Sequence, residues 1–241
     1  MQSALIVAHG QPSDPEPAGL ELALLASKVA AELPGWQVGS ATLAEAGALD
    51  AALSGTGPGV LVYPMFMAGG WFTTENLPMR LRASGARDAQ VLPAFGVDPA
   101  VQALCVQIAR DAAAADGMAF EALEILLAAH GSGRSQSPAL VARQMARLLR
   151  DAGCARAEAY FIDQTPKIAD APEFGPTAFC LPFFAARGGH VVDDLPAALA
   201  QSGFAGPVLP PLGLDARVPG LIADALRHCV RPDQISPPAS R

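Results

Sequence analysis

The sequence predicts an α/β protein built from two tandem, homologous, doubly wound parallel-sheet lobes with a cleft between them. Three observations support this fold class. Short apolar segments alternate with amphipathic helical segments, the strands and the longer helices follow one another in the same order in both halves, and a His-Gly motif after the first strand occurs twice. Continuous apolar runs such as 125–129 indicate strands buried on both faces, which is typical of parallel sheets covered by helices.

The repeated motif is an apolar strand that ends in His-Gly, first at His9 and again at His130. A Gly-Gly pair then precedes Trp71 in the first half and His190 in the second. The offset between the copies falls from 121 residues at His-Gly to 119 at Gly-Gly, which indicates a duplication with small insertions and deletions. We therefore expect an N-terminal lobe over 1–117 with a degenerate site, a C-terminal lobe over 118–230 with an intact histidine pair, and a flexible tail over 231–241.

The individual elements follow from local patterns. Short apolar runs bounded by Gly, Pro or Asp predict strands, and longer segments with a helical apolar period predict helices. In the first half these patterns predict strands at 4–7, 37–43, 59–63 and 89–92, and helices at 18–33, 49–53, 75–84 and 99–115. In the second half they predict strands at 123–129, 155–162, 177–181 and 206–209, and helices at 138–151, 193–201 and 218–228.

Composition excludes several classes of function. The net charge of −7 and the pI near 5.0, without a basic stripe, argue against a nucleic-acid partner. The apolar runs are far shorter than the roughly 20 residues that span a bilayer, and the first residues lack a basic signal region, so we expect a cytoplasmic protein with no membrane contact. The four cysteines show no Cys-x-x-Cys spacing, which favours reduced core thiols over a local zinc or iron–sulfur site.

Three polar side chains are expected at one edge of the second sheet. His130 follows its first strand, Asp163 closes the second, and His190 lies in the Gly-rich loop after the third. If the strand order is 2-1-3, these side chains emerge from neighbouring strands at the same edge. Two imidazoles and a carboxylate suit Co²⁺, Fe²⁺, Ni²⁺ or Zn²⁺, and the imidazoles also accept protons near neutral pH. Taken singly, each residue is equally compatible with a structural hydrogen-bonding role or a turn.

Other candidate residues surround this group. The segment Gly131, Ser132, Gly133, Arg134 forms a strand-to-helix turn, whose free N–H groups favour an anionic ligand. Arg134 and Arg187 could pair with carboxylates, or could simply face solvent. In the first half His9 is kept, while Trp71 replaces the second histidine. Trp71 could provide an aromatic wall for a flat ligand or fill space against the other lobe.

The motifs Ala129-His130-Gly131-Ser132, the segment 181–196 and the segment 210–213 resemble those of class II chelatases, the sirohydrochlorin cobaltochelatase and ferrochelatase family of the cobalamin and sirohaem pathways. The resemblance covers nearly the whole chain and implies a chelatase-like fold, with two related lobes around a tetrapyrrole cleft. It implies that His130 and His190 bind the metal and accept protons. Asp163 matches an acidic position that is often glutamate.

The resemblance further implies insertion of Co²⁺ or Fe²⁺ into a sirohydrochlorin-type tetrapyrrole. It implies no cofactor beyond the divalent metal substrate, which is Co²⁺, Fe²⁺ or Ni²⁺, and no partner beyond the anionic tetrapyrrole, in a monomer or homodimer. The alternative is a non-enzymatic metal or tetrapyrrole carrier. A phosphatase with a histidine nucleophile is disfavoured because no arginine precedes either His-Gly. The expected substrate-binding residues are Gly131, Ser132, Arg134, Arg187, Trp71 and His9.

Overall fold

The computed structural model describes residues 1–11 and 15–230, and in this part of the chain it contains two parallel β-sheets. The predicted tail 231–241 lies outside the described residues. The first sheet comprises β1 (Ser3–Ala8), β2 (Gln37–Thr42), β3 (Leu61–Pro64) and β4 (Gln90–Val91). Its strand order is β2-β1-β3-β4, and all neighbouring strands are parallel.

The second sheet has the predicted 2-1-3 arrangement. It comprises β5 (Glu124–Ala129), β6 (Arg156–Phe161) and β7 (Ala178–Pro182), in the order β6-β5-β7. Both neighbours pair in parallel with the central strand β5, which is almost completely buried. The predicted α/β fold with two parallel sheets is therefore confirmed.

Helices cover both faces of each sheet. One of them, residues 99–115, begins at Pro99 as predicted, and the side chain of Asp98 caps it by accepting the N–H of Ala100 at 2.9 Å. The described helices are α1 (Pro15–Glu32), α2 (Ala48–Leu53), α3 (Leu77–Ala83), α4 (Pro99–Ala115), α5 (Ser137–Asp151), α6 (Leu195–Ser202) and α7 (Val218–Cys229).

One continuous apolar core runs through both lobes. It contains Ile6 and Tyr63 of the first sheet together with Leu127 and Phe183 of the second. Helix α1 packs against α7, and α4 packs against α5, so helices of the two lobes meet inside this core. Two smaller clusters of buried side chains cover the opposite face of each sheet. The two lobes are therefore joined by buried apolar surface as well as by the chain itself.

The prediction of a strand at 206–209 is wrong. This segment forms a single bridge between Val208 and Cys180, in which the N–H of Cys180 donates to the carbonyl of Pro207 at 2.8 Å. A longer ladder needs backbone donors on both sides, and Pro207 and Pro210 have none. The second sheet therefore has three strands, whereas the first has four.

Two helices are preceded by a π-helical turn that the sequence did not predict. The turns span Phe72–Asn76 and His190–Asp194 and lead directly into α3 and α6. In the second turn the N–H of Leu195 donates to the carbonyl of His190, five residues earlier. Pro196, the second residue of α6, lacks an N–H and crowds the carbonyl four residues before it. Pro78 occupies the same position in α3. Because a π-helical turn is wider than an α-helical turn, it relieves this crowding. His190 therefore begins a helical turn rather than lying in a loop.

No helix within the described ranges combines the length and the apolar character needed to cross a bilayer. The four cysteines have free thiols, and Cys105, Cys154 and Cys180 are buried while Cys229 is half-buried. Burial raises the pKa of Cys105 and of Cys180 to about 12, so neither thiol is ionised near neutral pH.

Candidate functional site

Two of the predicted site residues lie side by side at the carboxyl edge of the second sheet. His130 directly follows β5, and Asp163 lies two residues beyond β6. The backbone ladder continues past the strands, because the N–H of Asp163 donates to the carbonyl of His130 at 2.9 Å. Gly131 then turns the chain with a φ of 75°, and a Cβ at this position would lie only 2.7 Å from the Cβ of Gln164. Glycine is therefore required for the tight turn that presents His130.

His190 reaches the same edge from the π-helical turn after β7. Its Nε2 lies 2.8 Å from Nε2 of His130, and the two rings are perpendicular, with an interplanar angle of 89° and centroids 4.0 Å apart. Oδ2 of Asp163 lies 3.6 Å from Nε2 of His130. Between 39% and 54% of each of these side chains is exposed. The structure thus brings the three residues together at an open site.

Both imidazoles are oriented through their Nδ1 atoms. Nδ1 of His190 lies 2.7 Å from Oδ2 of Asp194, and Nδ1 of His130 lies 3.0 Å from the carbonyl of Gly131. Each of these oxygen atoms is an acceptor, so each Nδ1 carries a proton and donates it. The Nε2 atoms that face each other are then the free lone pairs of the two rings. Two lone pairs at this separation are favourable only when a cation, either a proton or a metal ion, lies between them.

The pair is not part of a closed metal cage. In the described ranges no group of three or more His, Cys, Asp or Glu side chains is arranged to hold a metal ion. A resident structural metal normally has a complete set of protein ligands, whereas a reactive metal keeps open positions. The two Nε2 atoms could therefore supply two ligands to an ion that keeps open positions.

The histidine pair opens into a cleft of about 1110 Å³ that both lobes line. From the first lobe it is bordered by His9 and by one face of α1, and from the second lobe by His130, the loop 185–189 and His190. Arg187 lies in that loop and lines the cleft, which is the position predicted for it. The volume is sufficient for a ligand larger than most metabolites.

Comparison with known proteins agrees with this arrangement. The family model named CbiX matches residues 124–229. A solved structure described as CbiX, the terminal enzyme for biosynthesis of siroheme in denitrifying bacteria, is 46% identical, with a TM-score of 0.88, and the match covers 95% of this chain and all of that one. The chain belongs to the CbiX family. No curated protein matches it.

More distant structures share the fold of this CbiX-family chain. SirB from Bacillus subtilis with Fe³⁺ is 16% identical, with a TM-score of 0.72 and 95% of each chain covered. A multi-domain protein from Deinococcus radiodurans, DR2241, is 21% identical with a TM-score of 0.72, and the match covers 93% of this chain and 54% of that one. At these identities the likeness concerns the fold alone.

The remaining predicted residues lie beside the cleft rather than on its lining. Gly131, Ser132, Arg134 and Trp71 are outside the set of residues that border it. Ser132 has a local role, since its hydroxyl accepts the N–H groups of Arg134 and Ser135 at 3.1 and 3.2 Å and so closes the turn before α5. Asp163 also lies outside the lining and reaches the site only through His130.

The equivalent edge of the first lobe of this family member carries an aromatic cluster. The ring of His9 meets the ring of Phe72 edge-on at 4.7 Å, and Trp71 meets Phe72 at 5.1 Å. Burial, followed by the charge of Arg80, lowers the pKa of His9, so its ring is neutral near pH 7. Trp71 is 56% exposed. Only the second lobe therefore pairs two imidazoles.

Sequence reasoning missed Asp194, which orients His190. The available signal was the spacing His-x-x-x-Asp, which places both residues on one face of a helical turn. It was not recognised because His190 was predicted to lie in a loop. Glu21 was also missed: one of its carboxylate oxygens accepts the N–H of Arg187 at 3.2 Å across 166 residues of sequence, a contact with no local signal.

Gly213 supports the loop that carries His190 in this CbiX-family fold. Its N–H donates to the carbonyl of Phe184 at 2.9 Å, and a Cβ at position 213 would lie 1.9 Å from the carbonyl oxygen of Ala185. Gly96 makes the same close approach in the first lobe, with a Cβ position 2.1 Å from the carbonyl oxygen of Met67. Each loop is therefore held in place by a glycine that has no room for a side chain.

Proposed function

We propose that this chain inserts a divalent metal ion, Co²⁺ or Fe²⁺, into a sirohydrochlorin-type tetrapyrrole. The single observation that carries the proposal is the pair of facing Nε2 atoms, 2.8 Å apart, at the edge of a cleft lined by both lobes. The 46% identical relative is described as the terminal enzyme of siroheme biosynthesis, which supports the same reaction in this chain. SirB, which shares the fold, is described as a sirohydrochlorin chelatase in complex with cobalt.

The geometry of the pair suits the metal substrate. If both Nε2 atoms bind one ion at about 2.05 Å, their present separation corresponds to an N–metal–N angle of about 86°. This angle is near the right angle of an octahedral site and well below a tetrahedral one, so it favours Co²⁺ or Fe²⁺ over structural Zn²⁺. The ion keeps open positions that the pyrrole nitrogens of the substrate can occupy.

Metal insertion also requires a place for protons. The tetrapyrrole releases two N–H protons for each divalent ion that it binds, and the Nε2 atoms of His130 and His190 become free acceptors as the ion leaves them. Asp163, at 3.6 Å from Nε2 of His130, stabilises the imidazolium that forms. Asp194 keeps the His190 ring in the tautomer whose Nε2 faces the cleft. No further cofactor is needed for this sequence of steps.

The other predicted residues complete the proposal. Arg187, on the cleft lining, pairs with a carboxylate of the substrate. Gly131, Ser132 and Arg134 lie outside the lining, and the N–H groups of Ser132 and Arg134 already donate to Gln164 and to Ser132, so the guanidinium of Arg134 remains as the donor that this turn offers. His9 of the first lobe lines the cleft and contacts the macrocycle from the other side, whereas Trp71 lies outside the lining and packs against Phe72. The pathway is sirohaem or cobalamin formation in the cytoplasm, and the chain acts as a monomer or homodimer.

The test is a metal-insertion assay that follows the absorbance of sirohydrochlorin with Co²⁺, Fe²⁺ and Ni²⁺ in turn. We expect turnover by the wild type and its loss in His190→Ala. His228→Ala is the matched control, because His228 lies on the surface of α7 and its Nδ1 hydrogen-bonds to the carbonyl of Asp224. Wild-type turnover in His190→Ala would contradict the proposal.

A second candidate is a non-enzymatic carrier of metal or tetrapyrrole. The observation behind it is that the first lobe keeps His9 but has Trp71 in place of a second histidine. The same assay separates the two functions. A carrier would bind sirohydrochlorin tightly without a metal-dependent change in absorbance.

A further inference from the structure

Helix α1 of the first lobe lines the cleft with one continuous stripe of side chains. Pro17, Glu21, Leu24 and Lys28 follow one another at spacings of three and four residues, which places them on one face of the helix. Glu21 contacts the loop that leads to His190, since it accepts the N–H of Arg187. Lys28 lies seven residues further along, which corresponds to about 10 Å at the rise of an α-helix.

Among the described residues, the ammonium group of Lys28 is a charged group of the cleft without a side-chain partner, and the guanidinium of Arg187 is another. The carboxylate of Asp194 is bound to His190, and that of Asp215 is bound to Arg217. Within the described ranges the ammonium group of Lys28 makes no ion pair and no side-chain hydrogen bond, and Lys28 is exposed. The sequence has only two lysines, against fourteen arginines, and the other is Lys167.

Building on the function proposed above, we propose that Lys28 binds a peripheral carboxylate of the tetrapyrrole substrate. Lys28 borders the same cleft as His130 and His190, and it lies about 10 Å along α1 from Glu21, which contacts the loop that leads to His190. A macrocycle centred at the histidine pair would therefore present peripheral acids to the part of the cleft that Lys28 borders. Leu24, between these two residues, is 58% exposed and offers an apolar contact for the ring. An ammonium group suits a carboxylate that remains partly hydrated at the rim of an open cleft.

This contact gives the first lobe a defined part in recognition. Arg187 and Lys28 place one cation on each lobe of the cleft, so a substrate with acids on opposite sides of the ring bridges the two lobes. The histidine pair is uninvolved in this selection. A tetrapyrrole that lacks the acid facing Lys28 therefore binds more weakly but, once bound, reacts at the same rate.

The test compares Lys28→Met, Lys28→Arg and the control Lys167→Met, which removes the same charge outside the cleft. We expect Lys28→Met to raise the KM for sirohydrochlorin about fivefold with kcat unchanged, the size expected for one exposed ionic contact. The dissociation constant of sirohydrochlorin without metal, measured by fluorescence quenching, rises equally. Lys28→Arg restores both values, and Lys167→Met leaves them at the wild-type level.

Different results would contradict the Lys28 contact and the proposed metal insertion. Equal KM and dissociation constants in Lys28→Met and Lys167→Met would overturn the Lys28 contact while leaving metal insertion intact. Absence of insertion by the wild type would overturn the proposed function, and the metal-free dissociation constants would still test Lys28. A smaller effect of salt on binding in Lys28→Met than in the wild type is a further expected result.

Discussion

Replacing Gly213 by alanine should damage the site without changing either histidine of the pair. A Cβ at position 213 would lie 1.9 Å from the carbonyl oxygen of Ala185 and 2.4 Å from its carbonyl carbon. Real Cβ atoms do not approach closer than about 3 Å, so the backbone at Ala185 must move by at least about 1 Å. His190 follows five residues later and moves with the loop.

Gly213→Ala should lower both the stability of the fold and the rate of metal insertion. Overpacking of this kind costs about 1–3 kcal/mol, which lowers the Tm by about 2–4 °C for each kcal/mol in a domain of this size. A displacement of about 1 Å in a catalytic group reduces the rate by about 100-fold. We therefore expect a modest loss of Tm in Gly213→Ala and a much larger loss in kcat/KM for metal insertion.

Gly96→Ala is the matched control. Its Cβ would lie 2.1 Å from the carbonyl oxygen of Met67, so the strain is similar, but the displaced loop leads to Trp71 rather than to a histidine. Insertion is measured well below the Tm of each variant, so that only folded protein is compared. Equal losses of activity in Gly96→Ala and Gly213→Ala, or full activity in a folded Gly213→Ala, would refute the reasoning.

Three further outcomes follow from individual contacts. Asp194→Ala should weaken Co²⁺ binding by about 10- to 100-fold in calorimetric titration, because His190 loses the acceptor that orients it, and unchanged affinity would argue against that role. The hydrogen bond from Arg217 holds the pKa of Asp215 below its usual range, so Arg217→Met should lower stability by about 1 kcal/mol near neutral pH. Because a lowered carboxyl pKa stabilises only the ionised form, the difference in Tm should close as the pH falls below about 4, and a difference that persists there would contradict the assignment. The ring protons of His9 should titrate with a midpoint below about 6.5 by NMR, because burial disfavours the charged ring, and a higher midpoint would rule this out.

The parts of the structure that could be predicted are those with local signals. Apolar runs identified seven of the eight predicted strands, and parallel-sheet topology brought His130, Asp163 and His190 to one edge. The prediction of an eighth strand at 206–209 was wrong because Pro207 and Pro210 limit backbone pairing to one bridge at Val208. These prolines are visible in the sequence, but the prediction gave more weight to the apolar residues between them.

The contacts that could not be predicted join distant segments. Glu21 meets Arg187 across the two lobes, and no pattern in either segment indicates this. Gly213 is required because another backbone passes within contact distance, which is a property of the assembled fold. Lys28 is ordinary in its own helix and becomes distinctive only when the cleft is known. The contact between Asp194 and His190 was predictable in part. Their spacing of four residues is visible in the sequence, but the helical turn that brings them together is not.

The core that joins the two lobes determines how a bulky flat molecule can reach the histidines. A hinge motion that swung the lobes apart would separate α1 from α7 and expose apolar side chains such as Ile222 to water. A cleft that is already open in the resting protein avoids this exposure of apolar surface, and the substrate then reaches the histidines by diffusion. Such a protein releases its product through the same open side by which the substrate arrived, with no large closing movement to set the pace.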